Sequence, residues 1–120
     1  MSHRILVVEP DGSIRSLLAA VLRRQRYDAV FAESPRDVAR AMRSGRFCLA
    51  IVDCLPREAA LIDIIATDPE LPIAVTATLP KQLGKLPGRV VQVLHKPYDI
   101  AAIDALAHAH CARSDDHAAL

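Results

Sequence analysis

Short apolar runs recur along the chain, and each ends at polar or turn-forming residues. The two clearest runs are residues 5–8 and 47–52, and the second ends directly at Asp53. Runs of this length that are apolar at every position are typical of strands buried on both faces. Weaker runs of the same kind cover residues 29–32, 72–76 and 90–94. The pattern therefore predicts five strands separated by other elements.

Helical periodicity is clearest between the first two predicted strands. Apolar residues there follow the i, i+3, i+4, i+7, i+8 spacing of an amphipathic helix. They are Ile14, Leu17, Leu18, Val21 and Leu22. A second helix is predicted where Ser34, Pro35 and Asp37 match an N-cap, a proline at the first helical position and an acidic third position. We expect this helix to run to about Ser44 and to end at Gly45.

The second half of the chain has weaker helix signals. Residues 59–66 suggest a short third helix, and a last helix begins after Asp99 as its N-cap. The expected core contacts of the last helix are Ile100, Ile103, Leu106 and Ala107. Prolines and glycines interrupt residues 79–88, so we expect one turn or an irregular loop there. Residues 113–120 are expected to be a frayed tail.

Alternating strands and helices predict a parallel sheet covered by helices on both faces. The predicted class is an α/β fold with a doubly wound, five-stranded parallel sheet, and residues 1–120 are predicted to form one domain. Chemistry in such folds collects at the carboxyl ends of the strands. The polar residues at those ends are Glu9, Asp11, Asp53, Thr76 and Lys96. We therefore expect them to share one pocket.

Composition narrows the classes of partner. The formal net charge is +1, which gives no long-range field for nucleic acid or an anionic membrane, and only 3% of residues are aromatic. No apolar run approaches the length of a membrane span and no signal-peptide pattern opens the chain, so we expect a cytoplasmic protein. Cys48, Cys54 and Cys111 have neither zinc-ligand nor disulfide-framework spacing, and we expect them to be reduced core residues.

Carboxylates, a hydroxyl and an ammonium in one pocket suit phosphoryl transfer. A carboxylate can attack a phosphoryl group, but the two anions repel, so the reaction depends on positioning and on neutralising charge. A lysine and Mg²⁺ are the usual means, and Mg²⁺ takes oxygen ligands from carboxylates, water and the phosphate. The candidate ligands are Glu9, Asp11, Asp53 and the backbone carbonyl of Leu55. Asp11 is an equally good candidate for the N-cap of the first helix.

Segments at the predicted strand ends carry a resemblance to a known family. They are residues 5–15 (ILVVEPDGSIR), 49–56 (LAIVDCLP), 75–77 (VTA) and 95–98 (HKPY). In this order they resemble the receiver domains of response regulators, the CheY-like family, over nearly the whole chain. The resemblance implies a flavodoxin/CheY-like fold. It also implies that Asp53 is the phosphoacceptor, that Thr76 is the hydroxyl that turns toward the phosphoryl group, and that Lys96 pairs with that group.

Two further properties come with the resemblance. The peptide bond between Lys96 and Pro97 should be cis, a form that is realistic only before proline. The protein should not be an enzyme with turnover on a separate substrate. It should instead be a phosphoacceptor that catalyses its own phosphorylation and dephosphorylation.

The chain departs from the family at several positions. Pro10 stands where the family has a second acidic residue, and Asp11 follows one place later, so the resemblance implies weak Mg²⁺ binding. The segment between Asp53 and Thr76 is shorter than in the family, which implies a stunted third helix. Val93 stands where the family usually has an aromatic residue whose rotation reports phosphorylation. A Val side chain offers no comparable two-state signal.

Two functional hypotheses follow from the resemblance. The first is a stand-alone response regulator receiver in a two-component phosphorelay, phosphorylated on Asp53 by a sensor histidine kinase or a phosphotransfer protein. It would signal to a downstream protein target or through a homodimer. The alternative is a degenerate pseudo-receiver that acts as a protein–protein interaction module without phosphorylation, as Pro10 and Val93 suggest. A third interpretation, a flavodoxin-like cofactor-binding enzyme, is disfavoured because residues 9–13 (EPDGS) make a poor phosphate-binding loop.

Overall fold

Strands and helices alternate along the chain, as the apolar pattern predicts. The structure is a computed structural model and describes residues 3–53, 62, 65, 67–77, 90–96 and 99–111. The strands are β1 (Arg4–Val8), β2 (Asp28–Phe31), β3 (Leu49–Asp53), β4 (Ile73–Ala77) and β5 (Val90–His95). The helices in the described ranges are α1 (Gly12–Arg24), α2 (Pro35–Arg43) and α3 (Ile100–His110). None of the helices in these ranges has the length and apolarity needed to cross a membrane.

The strands form one parallel sheet in the order β2-β1-β3-β4-β5. The chain passes to one side of β1 to form β2 and to the other side to form β3, so the strand order reverses between β1 and β3. This arrangement confirms the predicted doubly wound, five-stranded α/β fold. In such sheets, the crevice at the carboxyl ends of the strands flanking the reversal is where ligands bind.

Each face of the sheet has its own hydrophobic core, because successive strand residues point to opposite faces. Ile5 and Val7 of β1 belong to the core formed with α1 and α3, whereas Leu6 and Val8 belong to the core formed with α2. Other members of the first core are Leu18, Leu22, Leu49, Ile51, Ile103 and Leu106. Other members of the second are Val38, Ala41, Ala50, Val52, Ile62 and Ile65. Burial on both faces explains why β1, β3 and β4 are apolar along most of their length, whereas β5 is largely exposed.

Side-chain caps fix where the helices begin. Asp11 accepts hydrogen bonds at 2.9 and 3.2 Å from two backbone N–H groups of the first turn of α1. Ser34 accepts one at 3.1 Å at the start of α2, where Pro35 occupies the first helical position. Asp99 accepts one at 3.0 Å at the start of α3. The N-caps predicted from the sequence are therefore confirmed, and each satisfies backbone N–H groups that lack a partner within the helix.

Some predictions are corrected or lie outside the described residues. Leu17 of the predicted α1 stripe is 49% exposed, because α1 covers the sheet with the face that carries Leu18 and Leu22. Of the predicted third helix, the structure describes Ile62 and Ile65, which are helical and buried. The predicted loop at 79–88, the tail at 113–120 and the proline side of the predicted cis peptide lie outside the described residues.

The cysteines overturn one expectation. The sequence predicts reduced thiols, but a disulfide joins Cys48 to Cys111, whose Cα atoms lie 5.2 Å apart and whose positions differ by 63 in the sequence. Cys48 directly precedes β3, and Cys111 directly follows α3, which packs on that face of the sheet. The packing of α3 on the sheet brings the two cysteines together, so their spacing along the chain does not indicate the disulfide. Cys54 lies outside the described residues.

Candidate functional site

The carboxyl ends of the strands bring together polar residues that the sequence places far apart. Glu9 follows β1, Asp53 ends β3, Thr76 lies in β4 and Lys96 follows β5. The register of the sheet pairs Asp53 directly with Thr76. The backbone N–H of Lys96 donates to the carbonyl oxygen of Ala77 at 2.8 Å, which extends the pairing of β4 with β5 and fixes where the Lys96 side chain starts. The predicted convergence is confirmed for these side chains.

Lys96 is the centre of the site. Its Nζ donates hydrogen bonds to Oε1 of Glu9 at 3.1 Å and to Oδ1 of Asp53 at 3.0 Å, so one ammonium bridges two carboxylates. The hydroxyl of Thr76 donates to the same Asp53 oxygen at 3.2 Å. Within the described residues, the Asp53 carboxylate accepts two hydrogen bonds, and Oδ1 accepts both of them.

Burial separates this cluster from ordinary surface charges. Glu9, Asp53 and Thr76 are 3%, 6% and 1% exposed, and they are the buried polar or charged residues of the described chain. A carboxylate away from water is costly unless a counter-charge and hydrogen bonds accompany it, and even a well-paired buried ion pair adds little net stability. A fold that concentrates its buried charges at the crevice of its sheet points to function at that crevice.

Burial and pairing act in opposite directions on the titration of these groups. Desolvation by burial raises the pKa of Glu9 above 4.5, and the nearby charge of Asp53 acts in the same direction. The backbone N–H of Asp11, 3.2 Å from Glu9 Oε2, and the ammonium of Lys96 offset part of this rise. Burial opposes the charge of Lys96, but its hydrogen bonds to Asp53 and Glu9 outweigh that effect and raise the pKa of Lys96 above 10.5. Lys96 therefore remains a cation at neutral pH.

Comparison with known proteins identifies the architecture. No family model matches the sequence, and no curated protein does. Solved structures match over most of the chain. A CheY-like response regulator receiver domain from Methylobacillus flagellatus is 21% identical with a TM-score of 0.75, and the match covers 91% of this chain and 98% of that one. The chain has the fold of a response regulator receiver domain.

Two further structures share the receiver fold. The response regulator TrrA from Thermotoga maritima, solved in complex with Mg²⁺ and BeF, is 21% identical with a TM-score of 0.72, over 91% of this chain and 98% of that one. The receiver domain of a sensor histidine kinase from Pseudomonas aeruginosa, solved with a magnesium ion coordinated in its active-site cleft, is 17% identical with a TM-score of 0.75. That match covers 92% of this chain and 98% of that one.

The oxygen ligands that the site offers fit Mg²⁺ only in part. Glu9 and Asp53 offer the carboxylate oxygens that Mg²⁺ prefers, and Mg²⁺ commonly takes one or two carboxylates and completes its shell with water. Asp11 uses its carboxylate as the N-cap of α1 and approaches Glu9 through its backbone N–H. Within the described residues, no group of three or more His, Cys, Asp or Glu side chains could hold a metal ion. Leu55 lies outside the described residues, so its role as a ligand stays a prediction.

The ion pair between Glu9 and Lys96 is the part of the site that sequence reasoning missed. Glu9 was expected to share the pocket as a candidate metal ligand, yet its carboxylate contacts the ammonium directly. The sequence offers one signal of this contact, because both residues lie just beyond the carboxyl ends of their strands. In the folded sheet β3 and β4 lie between β1 and β5, and the two side chains meet across the ends of these inner strands, which the sequence does not show.

Proposed function

We propose that this receiver domain accepts a phosphoryl group on Asp53 from a sensor histidine kinase or a phosphotransfer protein, in two-component signalling. The observation that carries the proposal is the pair of contacts on Asp53 Oδ1, from Lys96 Nζ at 3.0 Å and the Thr76 hydroxyl at 3.2 Å. A buried carboxylate held by one cation and one hydroxyl is an oxygen nucleophile whose neighbours can also bind the incoming anion.

In the proposed reaction, a carboxylate oxygen of Asp53 forms a bond to phosphorus as the bond from phosphorus to a histidine nitrogen breaks. The nitrogen keeps the electron pair of that bond, and because the other ring nitrogen of the phosphohistidine carries a proton, the ring leaves as a neutral imidazole. Lys96, a cation at neutral pH because its pKa is raised, offsets the charge of the phosphoryl group. The Thr76 hydroxyl, which now donates to Asp53, can turn to donate to a phosphoryl oxygen.

Mg²⁺ would be held by Glu9 and Asp53, with Asp11 and the Leu55 carbonyl as further candidates. When bound, it would neutralise negative charge on the carboxylates and on the phosphoryl oxygens. Lys96 occupies the space between Glu9 and Asp53, so we expect cation binding to compete with the ion pair between Lys96 and Glu9. Together with Pro10 at the usual second acidic position, this competition favours weak Mg²⁺ binding.

Intact-mass analysis after incubation with acetyl phosphate and Mg²⁺ tests the proposal. The wild type should gain the mass of one phosphoryl group, and Asp53→Asn should gain none. Asp99→Asn is the matched control, because it removes a carboxylate outside the pocket and Asn still caps a helix. The proposal is wrong if Asp53→Asn is modified as fully as the wild type. It is also wrong if neither acetyl phosphate nor a panel of phosphorylated kinases and phosphotransfer proteins modifies the wild type.

A pseudo-receiver that binds proteins without phosphorylation is the second candidate. It is favoured by the ammonium of Lys96 bridging Glu9 and Asp53, because the site supplies its own cation where a metal would bind. Val93 of β5, 40% exposed, also lacks the aromatic ring that reports phosphorylation in the family. Failure of every phosphodonor in the experiment above would favour this candidate.

We propose that the output of the receiver passes by protein contact. In this proposal the domain acts in the cytoplasm as a stand-alone regulator that docks on a downstream protein or forms a homodimer. Size-exclusion chromatography with light scattering, with and without acetyl phosphate, distinguishes the two routes. A phosphorylation-dependent rise in mass to that of a dimer supports the homodimer, whereas an unchanged monomer mass leaves docking on another protein.

A further inference from the structure

A second chemical centre lies at the end of the sheet opposite to Asp53. Cys48 immediately precedes β3, whereas Asp53 is the last residue of that strand. The disulfide between Cys48 and Cys111 therefore joins the amino end of the central strand to the residue that directly follows α3. Both cysteines belong to the core on the face covered by α1 and α3. The phosphoacceptor site does not use either sulfur.

Cys48 can be approached from solvent, although it is only 8% exposed. It lines a cleft of about 290 Å³ at the amino ends of β3 and β4. Arg46 and His110 also line this cleft, and so do Asp68 and Glu70. Cys111 is 5% exposed and is not part of the lining. Of the two cysteines in the disulfide, Cys48 is therefore the one that borders the cleft.

The surroundings of Cys48 suit the reduced state as well as the disulfide. Its sulfur lies 3.1 Å from the carbonyl oxygen of Arg4, which is an acceptor for the S–H of a thiol. In the disulfide that sulfur carries no hydrogen, and the backbone N–H of Cys48 still donates to the same oxygen at 2.9 Å. Reduction thus leaves no buried polar atom of Cys48 without a partner. The hydrogen bonding around Cys48 therefore does not oppose reduction of the disulfide.

We propose that Cys48 and Cys111 form a reversible redox site, in which Cys48 reacts with a low-molecular-weight peptide disulfide and Cys111 resolves the product. The thiolate of Cys48 attacks one sulfur of the small disulfide, which forms a mixed disulfide and releases the first small thiolate. The thiolate of Cys111 then attacks Cys48 and releases the second. The two protein sulfurs lose two electrons, the two small sulfurs gain them, and the two protons of the protein thiols pass to the released thiolates. Reduction runs the same steps in reverse.

The chemical class of the partner follows from the cleft. A small peptide disulfide carries both carboxylate and ammonium groups. The cleft is lined by charges of both signs, the guanidinium of Arg46 and the carboxylates of Asp68 and Glu70, and the carboxylates can pair with the ammonium groups of such a peptide. Thiols in reducing compartments equilibrate with such molecules, and protein disulfides there are usually transient or regulatory rather than permanent.

Formation of the disulfide should hold the C-terminal end of α3 against the sheet. The chain-entropy treatment of a cross-link between positions 63 apart predicts that the disulfide lowers the equilibrium constant for unfolding by up to about a thousandfold. In the reduced protein, the last turn of α3 keeps its packing and its own backbone hydrogen bonds, including that from the Cys111 N–H to the carbonyl oxygen of Ala107 at 2.8 Å, but loses this covalent link to the sheet. We therefore expect amide hydrogen exchange in this turn to be faster in the reduced than in the oxidised protein.

Trapping experiments with glutathione disulfide test the proposal. Every variant carries Cys54→Ala, which removes the third thiol. After reduction, Cys111→Ser should accumulate a mixed disulfide on Cys48, and this should form at least about tenfold faster than the adduct of Cys48→Ser on Cys111. The protein with both cysteines should instead form the intramolecular disulfide, which peptide mapping after alkylation would locate. This last measurement needs no substitution at the pair itself, so it stands even if a serine variant does not fold.

Three results would overturn the proposal. The first is faster trapping at Cys111 than at Cys48. The second is a protein with both cysteines that remains fully alkylatable after prolonged exposure to glutathione disulfide. The third is a disulfide that excess reduced glutathione cannot open in the folded protein, which would make it a permanent cross-link.

Discussion

Replacing Lys96 with Met tests the network that organises the site. Met keeps much of the volume of Lys but removes the ammonium that contacts Glu9 at 3.1 Å and Asp53 at 3.0 Å. At an effective dielectric constant of about 20, each contact represents about 5 kcal/mol of Coulomb attraction before the cost of desolvation is subtracted. Removing one partner of a buried pair typically costs about 3–5 kcal/mol, because the remaining charge stays buried.

The lower end of this range applies to Lys96→Met. The side chain of Lys96 is 16% exposed, and the pKa of Glu9 is already raised by burial, so Glu9 can take up a proton once the ammonium is gone. We expect the free energy of unfolding at neutral pH to fall by about 3 kcal/mol. Arg36→Met is the matched control, because Arg36 is exposed on α2, and its replacement should change stability by no more than about 0.5 kcal/mol.

Urea unfolding of a double-mutant cycle measures the effect. The cycle contains the wild type, Lys96→Met, Glu9→Gln and the double variant. Gln keeps the shape of Glu without its charge, so Lys96→Met should cost less in the Glu9→Gln background, with a coupling energy of about 1–3 kcal/mol. If the two substitutions add to within about 0.5 kcal/mol, Glu9 and Lys96 do not interact and the reasoning is refuted.

Three further predictions concern the same end of the sheet. Because burial raises the pKa of Glu9 above 4.5, the native state binds this proton more tightly than the unfolded chain does. The free energy of unfolding should therefore fall as the pH rises from about 4.5 through the raised pKa, and Glu9→Gln should flatten this slope in urea titrations; equal slopes would contradict the assignment. Thr76→Val, which removes the hydroxyl bound to Asp53, should cost about 1–2 kcal/mol by the same assay, and a variant as stable as the wild type would show that this bond contributes nothing. Asp11→Ala should lower the free energy of unfolding by about 1 kcal/mol, and Asp11→Asn should lower it by much less, because Asn also caps helices. Thermal unfolding measures both losses, and equal losses would show that Asp11 contributes through its charge rather than through capping.

Local patterns in the sequence were sufficient for most of the fold. The inner strands β1, β3 and β4 are buried on both faces, so their apolar runs are visible without any knowledge of their neighbours. The N-caps Asp11, Ser34 and Asp99 act within one helical turn, so their signals are also local. Once the fold class is known, the rule that chemistry collects at the carboxyl ends of parallel strands brings Asp53, Thr76 and Lys96 together.

Three features that depend on packing between distant elements were not predicted. The disulfide between Cys48 and Cys111 joins positions 63 apart, and it exists because α3 packs over the amino end of β3. Leu17 fits the helical period, but it lies at the edge of the apolar stripe of α1. Its exposure depends on how α1 packs on the sheet, which the sequence does not show. The ion pair between Glu9 and Lys96 joins residues 87 positions apart, and β3 and β4 lie between the strands that carry them, so no local pattern indicates it.

A crystal structure with Mg²⁺ and beryllofluoride, a mimic of the phosphoryl group, tests the central claim most directly. The account predicts beryllofluoride on a carboxylate oxygen of Asp53, with Lys96 Nζ and the Thr76 hydroxyl within hydrogen-bonding distance of its fluorides and the ammonium moved away from Glu9. A structure in which the Lys96 side chain lies remote from Asp53, or in which beryllofluoride binds at another residue, would contradict it.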